Sequence, residues 1–445
     1  MALNTIAALL ILCCVAFPVI SSGLVSPYLA MVFGRVPYVI GKDAMYLMVV
    51  IVAFIAVVLL TSFRVSNKPH VNVYLSGVGT DKYRHFRGSM GHEVKAEKRN
   101  WYSEDALGEK RIGPAGSVVC CSIILFALLC CAWIGPERLA MSAPSVLRGK
   151  YFEGSGVVGI FIGTVAFALL APLAGGLIDG IDRKLSARMQ GRVGPRLLQP
   201  FYDVAKLLRK APASVNTMDD TYMACALIFT VVGGGIFVSG SNTLLCAFMV
   251  TLAAIFVVLA SASTQSPFAQ VGADRELLQV MSYEPAVLLM SVGLYLATDS
   301  FDSIAVTGQS APIIVYSAPI FLALLAVLTI KLRKSPFDLS YSHHAHQEIV
   351  QGVATEMSGS TLAKMTLMHW CETVLFLMWV GMFFVWDNPV SWVVALVVAA
   401  AYFVEVLIDN TFARSTWRSC FKLGWGVALV FGLLNLMPIL VDVFI

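Results

Sequence analysis

The sequence predicts a polytopic, all-α membrane protein with about eleven transmembrane helices, the last eight of which form a core. Of the 445 residues, 58% are hydrophobic and only 13% are charged, which is about half the charged fraction of a typical soluble domain. The apolar residues lie in long blocks, each close to the roughly 20 residues that a helix needs to cross a bilayer. This composition excludes an ordinary soluble enzyme.

The apolar blocks define the predicted spans in chain order. The first block resembles a secretion signal, but it lacks a basic segment at its start and a second span follows at once, so we interpret it as a retained helix. Three spans and a polar stretch at 64–115 make residues 1–150 a predicted N-terminal extension, and residues 151–445 form the eight-helix core. The predicted spans are 5–32, 44–63, 116–135, 155–180, 221–239, 243–262, 284–299, 311–331, 366–385, 390–409 and 421–440.

The distribution of positive charge predicts the orientation. With a cytoplasmic N-terminus, all but five of the 31 Lys and Arg residues fall in the inner connections or the adjacent helix ends. Such a bias obeys the positive-inside rule. The net charge of +4 therefore reports topology and does not indicate nucleic-acid binding. The inner connections are predicted at 64–115, 181–220, 263–283, 332–365 and 410–420.

The cysteines exclude the usual redox centres. The ten cysteines lie almost entirely in apolar blocks and form no CxxC or CxxCH pattern, so the common ligand sets of iron–sulfur clusters, haem and zinc are missing. We interpret them as small packing residues. We therefore expect no cofactor and no catalytic residue in this chain, and any redox chemistry must belong to another subunit.

The inner connection that follows the first core span is strongly basic. Its cations oppose only three aspartates, and the bland interpretation is an orientation signal in contact with lipid headgroups. Arg183, Arg188 and Arg192 alternate with small residues and precede Gly194 and Pro195, a spacing that favours a defined loop docking on a partner. The cations are Arg183, Lys184, Arg188, Arg192, Arg196, Lys206, Arg209 and Lys210.

Two later connections each carry a pair of carboxylates. Glu276 and Glu284 are eight residues apart, about two turns of a helix, and would share a broad face. The alternative is that Glu276 simply pairs with Arg275 or with the basic loop. Glu348 and Glu356 repeat this spacing in the third connection.

The third connection also contains a run of histidines at His343, His344 and His346. The run resembles a metal-binding tract, but we expect proton buffering or packing in preference to a metal site.

Three acidic residues lie inside or at the ends of late spans: Glu372, Glu405 and Asp409. An ionised side chain at the bilayer centre costs about 2.5–3.5 kcal/mol on insertion scales, so such residues usually face protein or water. Glu405 and Asp409 are i,i+4 neighbours and would share a face. Burial and mutual repulsion both disfavour the charged form. With the two earlier pairs, these groups are predicted to form a line for proton transfer, although each alone could be a fixed packing carboxyl.

Three motifs in these connections resemble a known family. DRKLSARMQGRVGPRLLQPFYDVAKLLRK, GADRELLQVMSYEP and RKSPFDLSYSHHAHQEIVQGVATEMSG resemble the membrane subunit shared by respiratory complex I, where it forms the quinone site (the NuoH family), and the energy-converting [NiFe] hydrogenases. Within that superfamily the RELLQxMxYEP form and the SHHAHQEI run are similar to the anchor subunit of Ech-type hydrogenase (EchB-like). The resemblance covers roughly residues 150–445.

The resemblance implies a function in a multi-subunit complex. It implies that the chain anchors a peripheral arm of hydrogenase large and small subunits and an iron–sulfur subunit, which carry the [NiFe] centre and [4Fe-4S] clusters and receive electrons from ferredoxin. Antiporter-like subunits would lie beside it in a prokaryotic cytoplasmic membrane. Ferredoxin-dependent H2 formation would thereby drive H+ or Na+ translocation.

The family pattern also implies roles for individual residues. Arg183, Arg188, Arg192 and Pro195 would belong to the arm-docking loop, with Arg275 nearby. Glu276, Glu284, Glu348 and Glu356 match acidic positions of the coupling region, and the three histidines match a run typical of the hydrogenase branch.

Two alternative functions remain open. The first is the quinone-site subunit of a complex I-like NADH or ferredoxin dehydrogenase. The second is a stand-alone ion transporter, although the missing inverted repeats and the large docking loops argue against it. The segment from Tyr74 to Arg111 resembles the polar tail of the large antiporter-like subunit. Residues 1–150 are then either an additional contact with the pump module or an extension without a transport role.

Overall fold

The part of the chain that the computed structural model describes is mostly the predicted core. It comprises residues 85–87, 93–95, 157–210, 218–264, 266–298, 300–334, 337, 340–341, 350–386, 391–413 and 415–444. The three helices predicted before residue 150, the three histidines at His343, His344 and His346, and Glu348 lie outside these residues. The only strands among the described residues form an antiparallel pair, β1 (His85–Arg87) and β2 (Glu93–Lys95), with His85 opposite Lys95.

All eight spans predicted beyond residue 150 are confirmed as helices. Six helices among the described residues are long and apolar enough to cross a membrane, so the chain is a multi-pass membrane protein. The helices are α1 (Val157–Met189), α2 (Gln199–Arg209), α3 (Met218–Val238), α4 (Thr243–Ser263), α5 (Pro267–Thr298), α6 (Ser303–Thr307), α7 (Ile314–Lys331), α8 (Gly359–Met382), α9 (Ser391–Thr411) and α10 (Trp417–Phe444), with a 3₁₀ turn at Gly352–Ala354.

Two of the predicted inner connections are largely helical, contrary to expectation. Helix α1 continues to Met189, into the predicted connection 181–220, and α5 begins at Pro267, so it takes up most of the predicted connection 263–283. Hydropathy detects only the apolar part of a helix. Polar residues that bond within the bundle continue the helix beyond that part, as Arg183 does through its i,i+4 ion pair with Asp179.

Small residues bring the spanning helices close together. At Gly163 and Gly235, α1 and α3 approach so closely that a methyl group on either would meet the other helix, as is common between membrane helices. Phe229 of α3 stacks on Phe256 of α4 with their ring centroids 5.4 Å apart. These contacts pack α3 against both α1 and α4.

Helix α7 is kinked near its start. Ser317 has non-helical backbone angles (φ −129°, ψ 34°), two residues before Pro319. A proline inside a helix lacks an N–H donor and clashes with the carbonyl one turn earlier, which explains the kink. The continuous part of α7 therefore runs from the kink to Lys331, and its basic end lies among the acidic helices α1, α5, α8 and α9.

Helix α10 packs against α5 through Gly424. A methyl group at Gly424 would overlap the carbonyl oxygen of Ser282, whereas Gly426 on the same helix has open space around it. The Trp425 indole N–H donates to the Met281 carbonyl at 3.2 Å. Backbone of α5 thus lies directly against α10 at this point.

We expect Gly424→Ala to lower the stability of the folded protein, because overpacking against backbone typically costs about 1–3 kcal/mol. The measurement is the melting temperature of the purified protein in detergent, followed by size-exclusion chromatography after heating. Gly426→Ala is the matched control, two residues away on the same helix, and should leave the melting temperature unchanged. Equal melting temperatures for the two variants would contradict this packing.

Candidate functional site

The sequence Lys331-Leu332-Arg333-Lys334 ends α7 with three cations. Lys331 is the last helical residue, and Arg333 adopts a positive φ of 54°. The left-handed region costs a residue with a side chain about 1–2 kcal/mol, so surrounding contacts must hold Arg333 there. We call residues 331–334 the basic segment; its three cations bond to three different groups of acidic residues.

Lys331 forms a buried ion pair with Glu372 of α8. Its Nζ lies 2.5 Å from Oε1 of Glu372, and the two side chains are only 5% and 10% exposed. The ammonium also lies over the rings of Tyr283, 4.4 Å from the centroid, and Phe376, 5.4 Å from the centroid, in the geometry of a cation–π contact. The pair joins α7, α8 and α5 in a poorly hydrated setting.

Arg333 pairs with Glu276 of α5. Its Nη2 donates to Oε1 of Glu276 at 2.9 Å, and the buried Ser340 hydroxyl donates to the other carboxylate oxygen. Nη1 of Arg333 also lies 3.5 Å from Nδ1 of His369 on α8. Among the described residues, the ion-pair partner of Glu276 is therefore Arg333, from the third connection, and not the expected Arg275 or basic loop after α1.

Lys334 joins α1 to α9. Its ammonium donates to Asp182 of α1 and, at 3.4 Å, to Asp409 of α9. Burial alone would lower the pKa of Lys334, but the two carboxylates outweigh burial and raise the pKa above its ordinary value, so this lysine stays protonated. The Asn410 amide donates to the Ser186 hydroxyl at 3.1 Å, a second polar link between α9 and α1.

The remaining acidic residues of the predicted line have different surroundings. Glu405 shares the inner face of α9 with Asp409 as expected, is 2% exposed, and has one carboxylate oxygen without a hydrogen-bond partner among the described residues. Glu284 is half-buried and accepts from the Thr251 hydroxyl at 2.7 Å. Glu356 is partly exposed in the turn after the 3₁₀ helix. The position of Glu348 lies outside the described residues.

The predicted docking residues divide into exposed and bonded ones. Arg188, Arg192 and Pro195 are exposed, and their docking role stays a prediction. Arg183 is half-buried and bonded within the chain, to Asp179 and to Asp203, each at 2.9 Å. Arg275 is only 4% exposed, so its side chain offers a partner little area, and its docking role also stays a prediction.

Sequence reasoning identified the carboxylates but missed their partners. Lys331, Arg333, Lys334 and Asp182 were not among the predicted site residues. The sequence signal that could have identified these partners is the cluster of three cations at the end of an apolar block. The positive-inside rule explains such a cluster as an orientation signal, so it did not indicate a site. In the part of the chain described by the structure, no group of His, Cys, Asp and Glu has the arrangement of a metal site, and the buried cysteines Cys225, Cys246, Cys371 and Cys420 form no disulfide.

Several known proteins are similar to this chain in sequence. The chain is 31% identical to hydrogenase-4 component C of Escherichia coli (strain K12) over 237 residues, covering 49% of this chain and 71% of that protein. It is 28% identical to the NADH-quinone oxidoreductase H subunit of Bacillus cytotoxicus over 344 residues, covering 67% of this chain and 96% of that protein. Formate hydrogenlyase subunit 4 of Escherichia coli (strain K12) is 28% identical over 272 residues, 54% of this chain and 85% of that protein.

The fold agrees with these sequence relations. A chain of the membrane-bound sulfane sulfur reductase, an archaeal respiratory membrane complex, superimposes with a TM-score of 0.57 at 20% sequence identity, covering 63% of this chain and 99% of that chain. The family model described as NADH dehydrogenase matches residues 162–440, a range that contains the basic segment and all its described acidic partners. This chain therefore belongs to the NADH dehydrogenase family, as the sequence motifs indicated.

Proposed function

We propose that this chain is the membrane subunit of an energy-converting [NiFe] hydrogenase, where it anchors the peripheral arm and couples ferredoxin-dependent proton reduction to the translocation of H+ or Na+. In coarser terms it is a membrane subunit of a complex I-like or hydrogenase-type respiratory complex, since its relatives include components of hydrogenase-4, formate hydrogenlyase and NADH-quinone oxidoreductase. The finer assignment rests on the hydrogenase-like motifs of the second and third connections.

The observation that carries the proposal is the set of ion pairs around the basic segment. Carboxylates from α1, α5, α8 and α9 each meet a cation from the end of α7. The basic segment leads directly into the third connection, so a change at that connection acts on all four ion pairs. Buried charges respond strongly to small displacements because the surroundings screen them weakly.

The proposed coupling follows from this arrangement. A change of charge in the arm next to the inner connections alters which carboxylate each cation neutralises. A carboxylate that loses its cation gains a proton or a metal cation instead, and it releases that ion when the pair re-forms. About 1.4 kcal/mol of altered pairing corresponds to a tenfold change in the protonation equilibrium, so modest rearrangements are sufficient.

The same proposal assigns the remaining parts of the chain. Arg188, Arg192 and Pro195 face the peripheral arm, whose subunits hold the [NiFe] centre and [4Fe-4S] clusters. The inner connections face the cytoplasm of a prokaryote, and residues 1–150 serve as an additional contact with antiporter-like subunits. The three histidines at His343, His344 and His346 buffer protons at the same face.

A second candidate is the quinone-site subunit of a complex I-like dehydrogenase. The matched family model and the coverage of the relative from Bacillus cytotoxicus, 96% of that protein, favour it. Both candidates place the acidic residues in a coupling role, and they differ in the electron acceptor used by the arm.

For the complete purified complex, we expect H2 formation from reduced ferredoxin that is insensitive to quinone-site inhibitors. The measurement is gas chromatography of H2 beside spectrophotometric NADH:quinone and ferredoxin:quinone assays on the same preparation. Quinone reduction without H2 formation would overturn the hydrogenase assignment in favour of the second candidate.

Glu276→Gln is expected to leave the complex assembled and to reduce turnover or ion translocation by roughly a hundredfold, a typical loss for a group that transfers protons. Glutamine keeps the size of the side chain and an acceptor for Ser340, but it cannot ionise against Arg333. The measurement is ion uptake by proteoliposomes during H2 formation, and Glu356→Gln should behave alike. The matched control is Asp220→Asn, which removes a different carboxylate, one paired with Lys364 at 2.8 Å. Normal translocation in both glutamate variants would contradict the coupling role.

The Lys331–Glu372 pair allows stability to be separated from coupling. Lys331→Met alone should destabilise the protein by about 3–5 kcal/mol, because it leaves a buried charge unpaired, while Lys331→Met combined with Glu372→Gln should recover most of that loss. The melting temperatures of the single and double variants measure this difference. If the pair serves coupling, the stable double variant still fails to translocate ions; if it serves only packing, translocation returns with stability.

A further inference from the structure

Helix α2 folds back onto the bundle by one face. Val204 packs with Trp370 of α8 in a small buried cluster, and Phe201 meets the same indole ring edge-on with their centroids 5.4 Å apart. Asp203 accepts from Arg183 of α1 at 2.9 Å. Apolar contacts and an ion pair therefore hold α2 against α1 and α8.

The opposite face of α2 combines basic and apolar side chains. Tyr202 and Leu208 are 61% and 57% exposed, and Lys206 and Arg209 beside them are exposed as well. Residues 202, 206 and 209 recur at the i, i+4, i+7 spacing that defines one side of a helix. Leu208 lies about 120° around the helix from Tyr202, at the edge of this side. We call Tyr202, Lys206, Leu208 and Arg209 together the outer face of α2.

The cations of the outer face have no acidic partner in the described part of the chain. The ion pairs found there involve Arg183, Lys331, Arg333, Lys334 and Lys364, and neither Lys206 nor Arg209 belongs to one. The carboxylate of α2 itself, Asp203, is already bonded to Arg183 and to the Gln199 amide. The outer face therefore carries uncompensated positive charge.

The contacts of α2 place it beside the inner end of the predicted span 155–180. The Phe201 ring lies directly against Gly176, and the Leu197 carbonyl, just before α2, lies against Gly180; both glycines belong to the candidate span Val158–Met189. The boundary between hydrocarbon and water is where tyrosine rings and the aliphatic stems of Lys and Arg are most stable, since each has an apolar body and a polar tip. An outer face with exposed Tyr202 and Leu208 beside two cations matches that boundary.

We propose that the outer face of α2 binds the headgroup of an anionic phospholipid. Lys206 and Arg209 meet the lipid phosphate, and Tyr202 and Leu208 extend into the layer below it. Amphipathic helices with this division of charge and apolar area lie at membrane surfaces, with affinity that depends on anionic lipid. The basic connection after α1 thus has two uses: Arg188 and Arg192 remain for a protein partner, and α2 fixes the subunit to the lipid. This inference does not depend on which electron acceptor the complex uses.

The test compares two charge-matched pairs of substitutions in the complete complex. Lys206→Gln with Arg209→Gln removes the proposed lipid contacts, and Arg188→Gln with Arg192→Gln removes two exposed cations of the same connection. Each complex is incubated with vesicles of phosphatidylcholine with or without phosphatidylglycerol and extracted in mild detergent. Mass spectrometry then measures the retained phosphatidylglycerol, gel electrophoresis measures the peripheral subunits, and the melting temperature confirms folding.

The variant with Lys206→Gln and Arg209→Gln should bind phosphatidylglycerol about 25-fold more weakly, because each cation near an anionic surface contributes roughly fivefold to the affinity. It should lose no peripheral subunits. The variant with Arg188→Gln and Arg192→Gln should retain the lipid. Unchanged lipid retention in the first variant would overturn the proposal, and so would equal loss in both, since retention would then follow net charge. Loss of peripheral subunits with unchanged lipid would assign α2 to protein docking instead.

Discussion

The basic segment at the end of α7 brings three positive charges into a region where carboxylates from four helices converge. Each cation has an acidic partner from another helix: Glu372 for Lys331, Glu276 for Arg333, and Asp182 with Asp409 for Lys334. Such pairs contribute little net stability, because desolvation offsets most of the attraction, but leaving one partner alone in the interior costs about 3–5 kcal/mol. Four ion pairs therefore link α1, α5, α8 and α9 to the end of α7.

All of these ion pairs depend on one short stretch of chain at the end of α7. The continuous helical part of α7 lies between the kink at Ser317 and the left-handed backbone at Arg333. Because Lys331 is the last residue of that part and Arg333 and Lys334 follow within one turn, a single rigid element positions every cation. The contacts of Arg333 with Glu276 and His369 offset the cost of its unusual φ. An altered position of this end would change several ion pairs at once.

The helices and the acidic half of the site could be predicted from the sequence for the same reason, which is that both stand out by local composition. Long apolar blocks stand out by composition, so every span beyond residue 150 was predicted; their ends were not, because residues such as Arg183 bond to neighbours that hydropathy scores do not see. Glu276, Glu372, Glu405 and Asp409 stood out as acidic residues in apolar surroundings. The cations Lys331, Arg333 and Lys334 obey the positive-inside rule, which made them look like orientation signals. Pairing across helices is a property of three-dimensional packing and leaves no spacing pattern along the chain.

Positively and negatively charged side chains alternate in this network, and this alternation determines how the acidic residues can act together. Two carboxylates 4 Å apart repel by about 4 kcal/mol at an effective dielectric constant near 20, so an uninterrupted line of acids would favour protonation of some members. In this bundle a lysine or arginine contacts Glu276, Glu372 and Asp409, while Glu405 has no ion pair among the described residues and keeps an unbonded oxygen. The described network is therefore a set of compensated pairs beside one buried carboxyl group. Moving Lys334 would alter the field at that group most directly, since Lys334 already acts electrostatically on both Glu405 and Asp409. A charge placed beside the connection after Lys334 would in this way reach an acidic group inside the membrane without any redox centre in the chain.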